Sequence, residues 1–381
     1  MSKPHVAVIG AGAFGGWTAL YFLRAGARVT LLDAWGPGNS RSSSGGETRI
    51  IRGAYGPGKS YTKLAARAFD LWKQHEAEWK QKFFFPIGVL WMAEADDAYE
   101  RASLPCLKDA GIKFEQLTVN QLSIRWPQIN FENVKWGIFE SRSGYLLARA
   151  SAQAVVDHFV AEGGEYRQAG VAERNLESND LDRNDWKLLQ LSDGSTVTAD
   201  QYVFACGPWL GKLFPQSVGP HFISTKQEVF FFGTPAGNPS YNEGNLPVWG
   251  DHSGHFMYGI PGNQARGFKL ADDTRGPKFD PTSGERLVSG ESLAQVRHYL
   301  AHRFPGMKDA PVLETRVCQY ENTTDNNFII DRHPANANVW IVGGGSGHGF
   351  KHGPALGEMV SKLVLGDETA DPLYRLARFK R

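Results

Sequence analysis

Two glycine clusters and a few basic side chains carry most of the chemical content of this sequence. Gly10-Ala-Gly12-Ala13-Phe14-Gly15 has the spacing of a loop that receives a pyrophosphate. In such a loop the first glycine permits a tight turn, the second lets phosphate approach the backbone, and the third lets the following helix pack closely. Asp33 ends the next apolar run, where a carboxylate bonds ribose hydroxyls and repels a 2′-phosphate; NADP is disfavoured, while NAD and FAD both remain. The second cluster, Gly343-Gly-Gly345-Ser-Gly347-His348-Gly349-Phe-Lys351, runs into a helix. Its amides and the helix's positive end suit a group that gains negative charge during reaction, as a reduced flavin does and a nicotinamide does not, so FAD is favoured. Arg49 and Arg52 stand three apart among small residues. Guanidinium groups capture planar carboxylates bidentately, although solvated surface is the commoner state of an arginine. Lys269, in Gly267-Phe-Lys-Leu270, reads on its own as a solvated lysine whose neighbours Phe268 and Leu270 point to the other face of a strand. Cys318 by type alone is a small core residue, with a functional thiol as the rarer alternative.

The elements that must hold these residues follow from apolar periodicity. A buried strand over 6–9, a helix over 13–25 and a second strand over 28–33 make one βαβ unit around the first glycine cluster. Helical spacing runs from Tyr61 to about Lys82, and a strand of a different sheet is expected over 87–92. A helix over 148–162, a strand over 166–173, a hairpin joining 186–191 to 196–198 and a buried strand over 201–205 come next. The stretch from about Ile223 to Asp273 is rich in Phe, Tyr, Gly and Pro and predicts an antiparallel sheet covering the cofactor. A strand over 339–342, the glycine loop and a helix over 355–365 repeat the opening logic. The expected fold is α/β: a Rossmann-like FAD domain, discontinuous over 1–85, 146–220 and 312–381, and a substrate domain over 86–145 and 221–311 on a mixed, largely antiparallel sheet.

Composition excludes several function classes. Lys and Arg number 41 against 40 Asp and Glu with no charged run, so nucleic acid and membrane surfaces are poor partners and a small molecule is a good one. Cys106, Cys206 and Cys318 lie far apart without metal-ligand spacing, which argues against zinc and against a secreted disulfide framework and favours a reducing cytoplasm. The apolar opening His5–Ile9 is too short for a signal segment, and no run of about 18 apolar residues occurs.

The Gly10–Gly15 fingerprint, Gly46-Glu-Thr-Arg-Ile-Ile-Arg52, Gly267-Phe-Lys-Leu270, Cys318-Gln-Tyr320 with Thr324-Asp-Asn-Asn-Phe-Ile-Ile-Asp331, and Gly345-Ser-Gly-His-Gly-Phe-Lys351 occur in that order over most of the chain. This set resembles the monomeric sarcosine oxidase and N-methyltryptophan oxidase family, D-amino-acid-oxidase-like FAD-dependent amine oxidases. The resemblance implies a monomer that oxidises an amino acid or N-alkyl amino acid to an imine and reduces O2 to H2O2; a primary L-amino acid or cyclic imino acid oxidase, or a dehydrogenase of the same fold passing electrons to a quinone or carrier, is the alternative. It implies a covalent bond from Cys318 to the flavin, Lys269 above the ring where oxygen is activated, Arg49 against the flavin, Arg52 and Lys351 on the substrate carboxylate, and Tyr258 and Tyr320 lining the substrate cavity. It further implies cofactor contacts at Ala34, Arg41, Ser42, Ser43, Ser44 and Ile50, and at Val171, Cys206, Gly207 and Trp209. Gly45 and Asp273 stand where the sarcosine oxidase pattern has histidines. Loss of a side chain at Gly45 is expected to enlarge the cavity. Asp273 favours a cationic amine if it points inward; an orientation toward solvent is equally open.

Overall fold

The structure, a computed structural model, describes residues 3–172, 176–177, 188–252, 255–366 and 368–380. The opening strand His5–Ile9 is wholly buried, the helix Ala13–Arg24 follows, and the strand Arg28–Leu32 returns parallel to the first, His5 opposite Arg28 and Ile9 opposite Leu32. This is the expected βαβ unit. Gly10 adopts a positive φ of +106°, and a Cβ there would fall 2.3 Å from the Ala205 carbonyl oxygen; one at Gly15 would fall 1.8 Å from the Gly10 carbonyl oxygen. The two glycines thus bring strand, turn and helix into contact that a side chain forbids.

Around this unit grows a six-stranded sheet in the order Ile329–Arg332, Val339–Gly343, Gln201–Phe204, His5–Ile9, Arg28–Leu32, Glu165–Arg167. All neighbours are parallel except the edge strand Ile329–Arg332. The final helix Gly353–Leu365 packs on Ala13–Arg24, where Gly357 lets its backbone reach Trp17 and Thr18. Chain start and chain end therefore build one cofactor-facing layer. The strand expected over 166–173 is shorter, Glu165–Arg167, with Val171 joined to Leu191 by an isolated bridge; Glu173 lies outside the described residues. The hairpin pairs Leu189–Gln190 with Thr196–Val197, its expected start at 186–187 also lying outside them.

The second sheet has eight strands in the order Val312–Thr323, Phe222–Phe232, Phe268–Asp272, Met257–Ile260, Val248–Asp251, Val89–Ala93, Trp136–Glu140, Glu115–Thr118. It is mixed and largely antiparallel, as expected, with one parallel pairing of Val248 on Val89. Its far face packs Trp249, Phe268, Leu270 and Phe304 into a core of their own beneath the helix Gly290–Arg303. That helix and Ala98–Asp109, which carries Pro105 in its interior, had no clear signal in the sequence. The strand Val312–Thr323, at the head of the third expected cofactor segment, pairs along its length with Phe222–Phe232 in this second sheet. A small third sheet joins Thr48–Ile51 and Phe84–Phe85 through Gly144–Leu147. Among the described residues no helix is long and apolar enough to cross a membrane.

A cofactor cleft and an adjoining cationic cavity

A cavity of about 510 Å³ runs along the carboxyl ends of the parallel strands. At one end Asp33 is held by backbone amides: its Oδ2 accepts from Ala11 N at 2.8 Å, its Oδ1 from Trp35 N at 2.9 Å and Gly36 N at 2.8 Å. Burial raises the carboxyl's pKa and these three amides draw it back. Further along, Gly10, Gly12, Ala13 and Phe14 form the wall, and Ser44 Oγ accepts from Ala13 N at 2.9 Å, fixing the 42–44 loop over the helix start. Of the remaining expected cofactor residues, Ala34, Ser42, Ser43, Val171, Cys206, Gly207, Trp209, Gly345 and Gly349 line this cavity. Arg49, Gly347 and Tyr320 line both it and its neighbour. Gly15 acts through packing rather than as a wall. Arg41 lines neither cavity; its guanidinium lies 5.5 Å from the ring centre of Trp35, a wall residue, and its carbonyl accepts from Gln319 Nε2.

The second cavity, about 150 Å³, opens where the glycine loop meets the eight-stranded sheet and brings together Arg49, Ile50, Arg52, Tyr258, Lys269, Asp273, Cys318, Tyr320, His348 and Lys351. The reading of Arg52 as a surface charge fails here: its guanidinium is stacked between Tyr55, 4.2 Å from the ring centre, and Trp91, 4.9 Å. Lys351 is 4% exposed and donates to Tyr55 Oη at 2.8 Å and to the His348 carbonyl at 2.7 Å. Burial, and after it the Arg52 charge, push its pKa well below the ordinary lysine value. Neither Arg52 nor Lys351 forms an ion pair within the described residues.

Lys269 is not solvated. It is 2% exposed and donates to the Thr48 carbonyl at 3.0 Å, while Phe268 and Leu270 point into the far core as alternation requires. Burial first, then Arg49, bring its pKa down to about 7. Cys318 is only partly buried and lines this cavity. Arg49 Nη2 donates to its Sγ at 3.3 Å and to the Ser43 carbonyl at 2.8 Å, so the arginine ties the sulfur to the cofactor-side loop. Asp273 points inward: Tyr320 Oη donates to its Oδ1 at 2.6 Å. Its pKa is pushed up to about 6 by burial, opposed by the Tyr320 hydroxyl and Arg52.

Gly45 corrects one expectation. It borders a third cavity, about 270 Å³, with Glu47, Arg49, Lys269, Arg316 and Cys318, and not the cavity of Asp273. A Cβ at Gly45 would stand 2.0 Å from the Asn39 carbonyl oxygen, so glycine is required by the turn there.

Sequence reasoning missed Trp35, Trp91, Phe256, Gln227 and Glu321. The last is a buried glutamate on the cofactor cleft, and the signal for it lies in the strand itself: Gln319, Glu321, Asn322 and Thr323 are polar yet buried in one run. Buried polar groups imply partners.

FAD fits this arrangement. The amides at the start of helix Ala13–Arg24 suit a pyrophosphate, Asp33 a ribose, and Glu321 Oε2, buried with no hydrogen-bond partner, faces the same cleft.

Comparisons with known proteins agree. The chain is 31% identical over 369 residues to monomeric sarcosine oxidase of Bacillus sp. (strain B-0618), covering 96% of this chain and 93% of that protein. It is 28% identical over 393 residues to N-methyl-L-tryptophan oxidase of Salmonella enteritidis PT4 (strain P125109), covering 100% of both. The fold matches that of L-proline dehydrogenase from P. horikoshii with a TM-score of 0.84 at 20% identity, covering 100% of this chain and 98% of that one. It also matches a fructosyl peptide oxidase from Aspergillus nidulans in complex with FSA with a TM-score of 0.82 at 23% identity, covering 98% and 93%. The DAO family model, FAD dependent oxidoreductase, matches residues 5–363, and the chain belongs to that family.

Proposed function

We propose that this FAD-dependent oxidoreductase is an amine oxidase that converts an amino acid or N-alkyl amino acid to its imine and reduces O2 to H2O2. The observation that carries the reading is the pair of cations, Arg52 and Lys351, held in one aromatic-walled cavity without an ion partner among the described residues. Four basic side chains, Arg49, Arg52, Lys269 and Lys351, line this cavity against one carboxyl, Asp273, and a substrate carboxylate would balance them. Bound FAD supplies the two-electron acceptor and the route of those electrons to oxygen.

In this reading Arg52 and Lys351 orient the carboxylate, Asp273 faces the amine, and Tyr258 and Tyr320 close the cavity around them. Lys269 offers a positive charge where oxygen gains an electron. Arg49 holds Cys318 Sγ toward the cofactor, and a covalent link through that sulfur is part of the proposal. So are the division into a cofactor domain of 1–85, 146–220 and 312–381 with a substrate domain of 86–145 and 221–311, a cytoplasmic location and a monomeric state. The names of the full-length relatives support an oxidase acting on an N-methyl amino acid.

The test is a panel of N-methyl amino acids, cyclic imino acids and primary L-amino acids, read by peroxide release in air and by flavin bleaching without oxygen. Peroxide with at least one class is expected. Bleaching without peroxide would make the protein a dehydrogenase serving another electron acceptor, and neither signal across the panel would reject the amine reading.

A further inference from the structure

Apart from Asp33, one buried acid lines the cofactor cleft among the described residues. Glu321 is 8% exposed; its Oε1 accepts from Gly345 N at 3.1 Å, while Oε2 has no partner. Both oxygens look into a gap kept open by glycines: a Cβ at Gly207 would lie 2.8 Å from Oε2, and one at Gly345 2.8 Å from Oε1. A buried carboxyl oxygen left unpaired costs free energy, so its retention at a ligand cleft points to a partner on the ligand.

The order of the cleft tells which part of the ligand that is. Asp33 and Trp35 mark the adenosine ribose end, Gly10–Gly12 and the start of helix Ala13–Arg24 the pyrophosphate, and Arg49 with Cys318 the ring end. Glu321 stands between the last two, at Gly207 and Gly345. In FAD the ribityl chain connects pyrophosphate and ring, and it is the hydroxyl-bearing segment. A pyrophosphate would repel a carboxylate, whereas hydroxyls donate to it.

We propose that Glu321 is the polyol-binding residue of the cofactor site, its Oε2 accepting from a hydroxyl of the FAD ribityl chain. The proposal rests on FAD as the cofactor. It assigns to Glu321 a share of cofactor affinity and selectivity, with no part in substrate binding.

The test uses the full-length apoprotein with Cys318→Ala, so that binding stays reversible, titrated by flavin fluorescence with FAD and with FAD analogues each lacking one ribityl hydroxyl. Removing the relevant hydroxyl is expected to weaken binding about tenfold with Glu321 present, the size of one hydrogen bond to a charged group, and less than twofold with Glu321→Leu. Equal losses in both proteins would overturn the assignment while leaving FAD as cofactor. If the leucine variant does not fold, Glu321→Gln is read the same way: the neutral acceptor should shrink the discrimination to threefold or less, and undiminished discrimination would overturn it. Failure of the Cys318→Ala protein to bind FAD at all would reject the cofactor premise and the proposal together.

Discussion

The charged side chains at the cavity differ in what each can be made to reveal. Burial first, and then the charge of Arg49, bring the pKa of Lys269 down to about 7. Its ammonium form is the one able to stabilise negative charge on oxygen. Lys269→Met is therefore expected to slow oxidation of the reduced enzyme by O2 by roughly 100-fold or more, while anaerobic reduction by substrate is spared; stopped-flow measurement of the two half-reactions separates them. In the unsubstituted protein the same oxidative rate should fall as pH rises through about 7, because the cation is lost above its pKa. Asp273 runs the other way. It is an anion only above about 6, so kcat/KM for a cationic amine should rise with pH through that value and lose the rise in Asp273→Asn, with an overall loss of about tenfold. A flat profile in both proteins would place the carboxylate outside the chemistry.

Elements, rather than motifs, decide where those side chains go. Arg52 precedes a turn whose Gly53 N and Ala54 N donate to Glu140 at 2.7 and 3.1 Å; the same carboxylate accepts from Trp91 Nε1 at 2.9 Å and Ser143 Oγ at 2.7 Å. One buried glutamate at the end of strand Trp136–Glu140 thus fixes both the arginine's turn and one of its stacking partners. Glu140→Gln places an amide N–H₂ against donors. It is expected to lower stability by on the order of 3 kcal/mol in urea unfolding. It should also reduce kcat/KM more for a carboxylate-bearing amine than for one without the carboxylate. Equal reductions would mean that Glu140 supports the fold alone. None of this could be read along the chain. The fingerprint, Asp33, the glycine loop and the strand alternation at Lys269 were legible because their signals are local. Glu140 and Glu321 were not, since their partners come from strands and turns far off in sequence. The burial of Lys269 and Arg52 depends on walls, Tyr258, Trp91 and Tyr55, assembled from three separate stretches.

At the scale of the whole molecule the strand Val312–Thr323 is the link between the two layers. It belongs to the eight-stranded sheet, yet it presents Glu321 to the cofactor cleft and Cys318 to the adjoining cavity, with Ser43 Oγ donating to the Gln319 carbonyl at 3.1 Å from the cofactor-side loop. Arg316 on the same strand meets Glu47, which also pairs with Arg149 and Arg266, so the loop after the fingerprint is tied to the second sheet by charge as well. These pairs are partly exposed and contribute little each. A covalent bond from Cys318 to the flavin would be a stronger tie, because it makes the flavin's contacts with the cofactor layer intramolecular, so the folded state keeps its ligand at a high effective concentration. Purified protein precipitated with acid is then expected to give a yellow pellet, and Cys318→Ala a colourless pellet with free FAD in the supernatant. The substitution should also lower the thermal midpoint of the FAD-loaded protein while leaving that of the apoprotein unchanged. Loss of stability in both forms would assign Cys318 to packing, and a colourless pellet from the unsubstituted protein would remove the link.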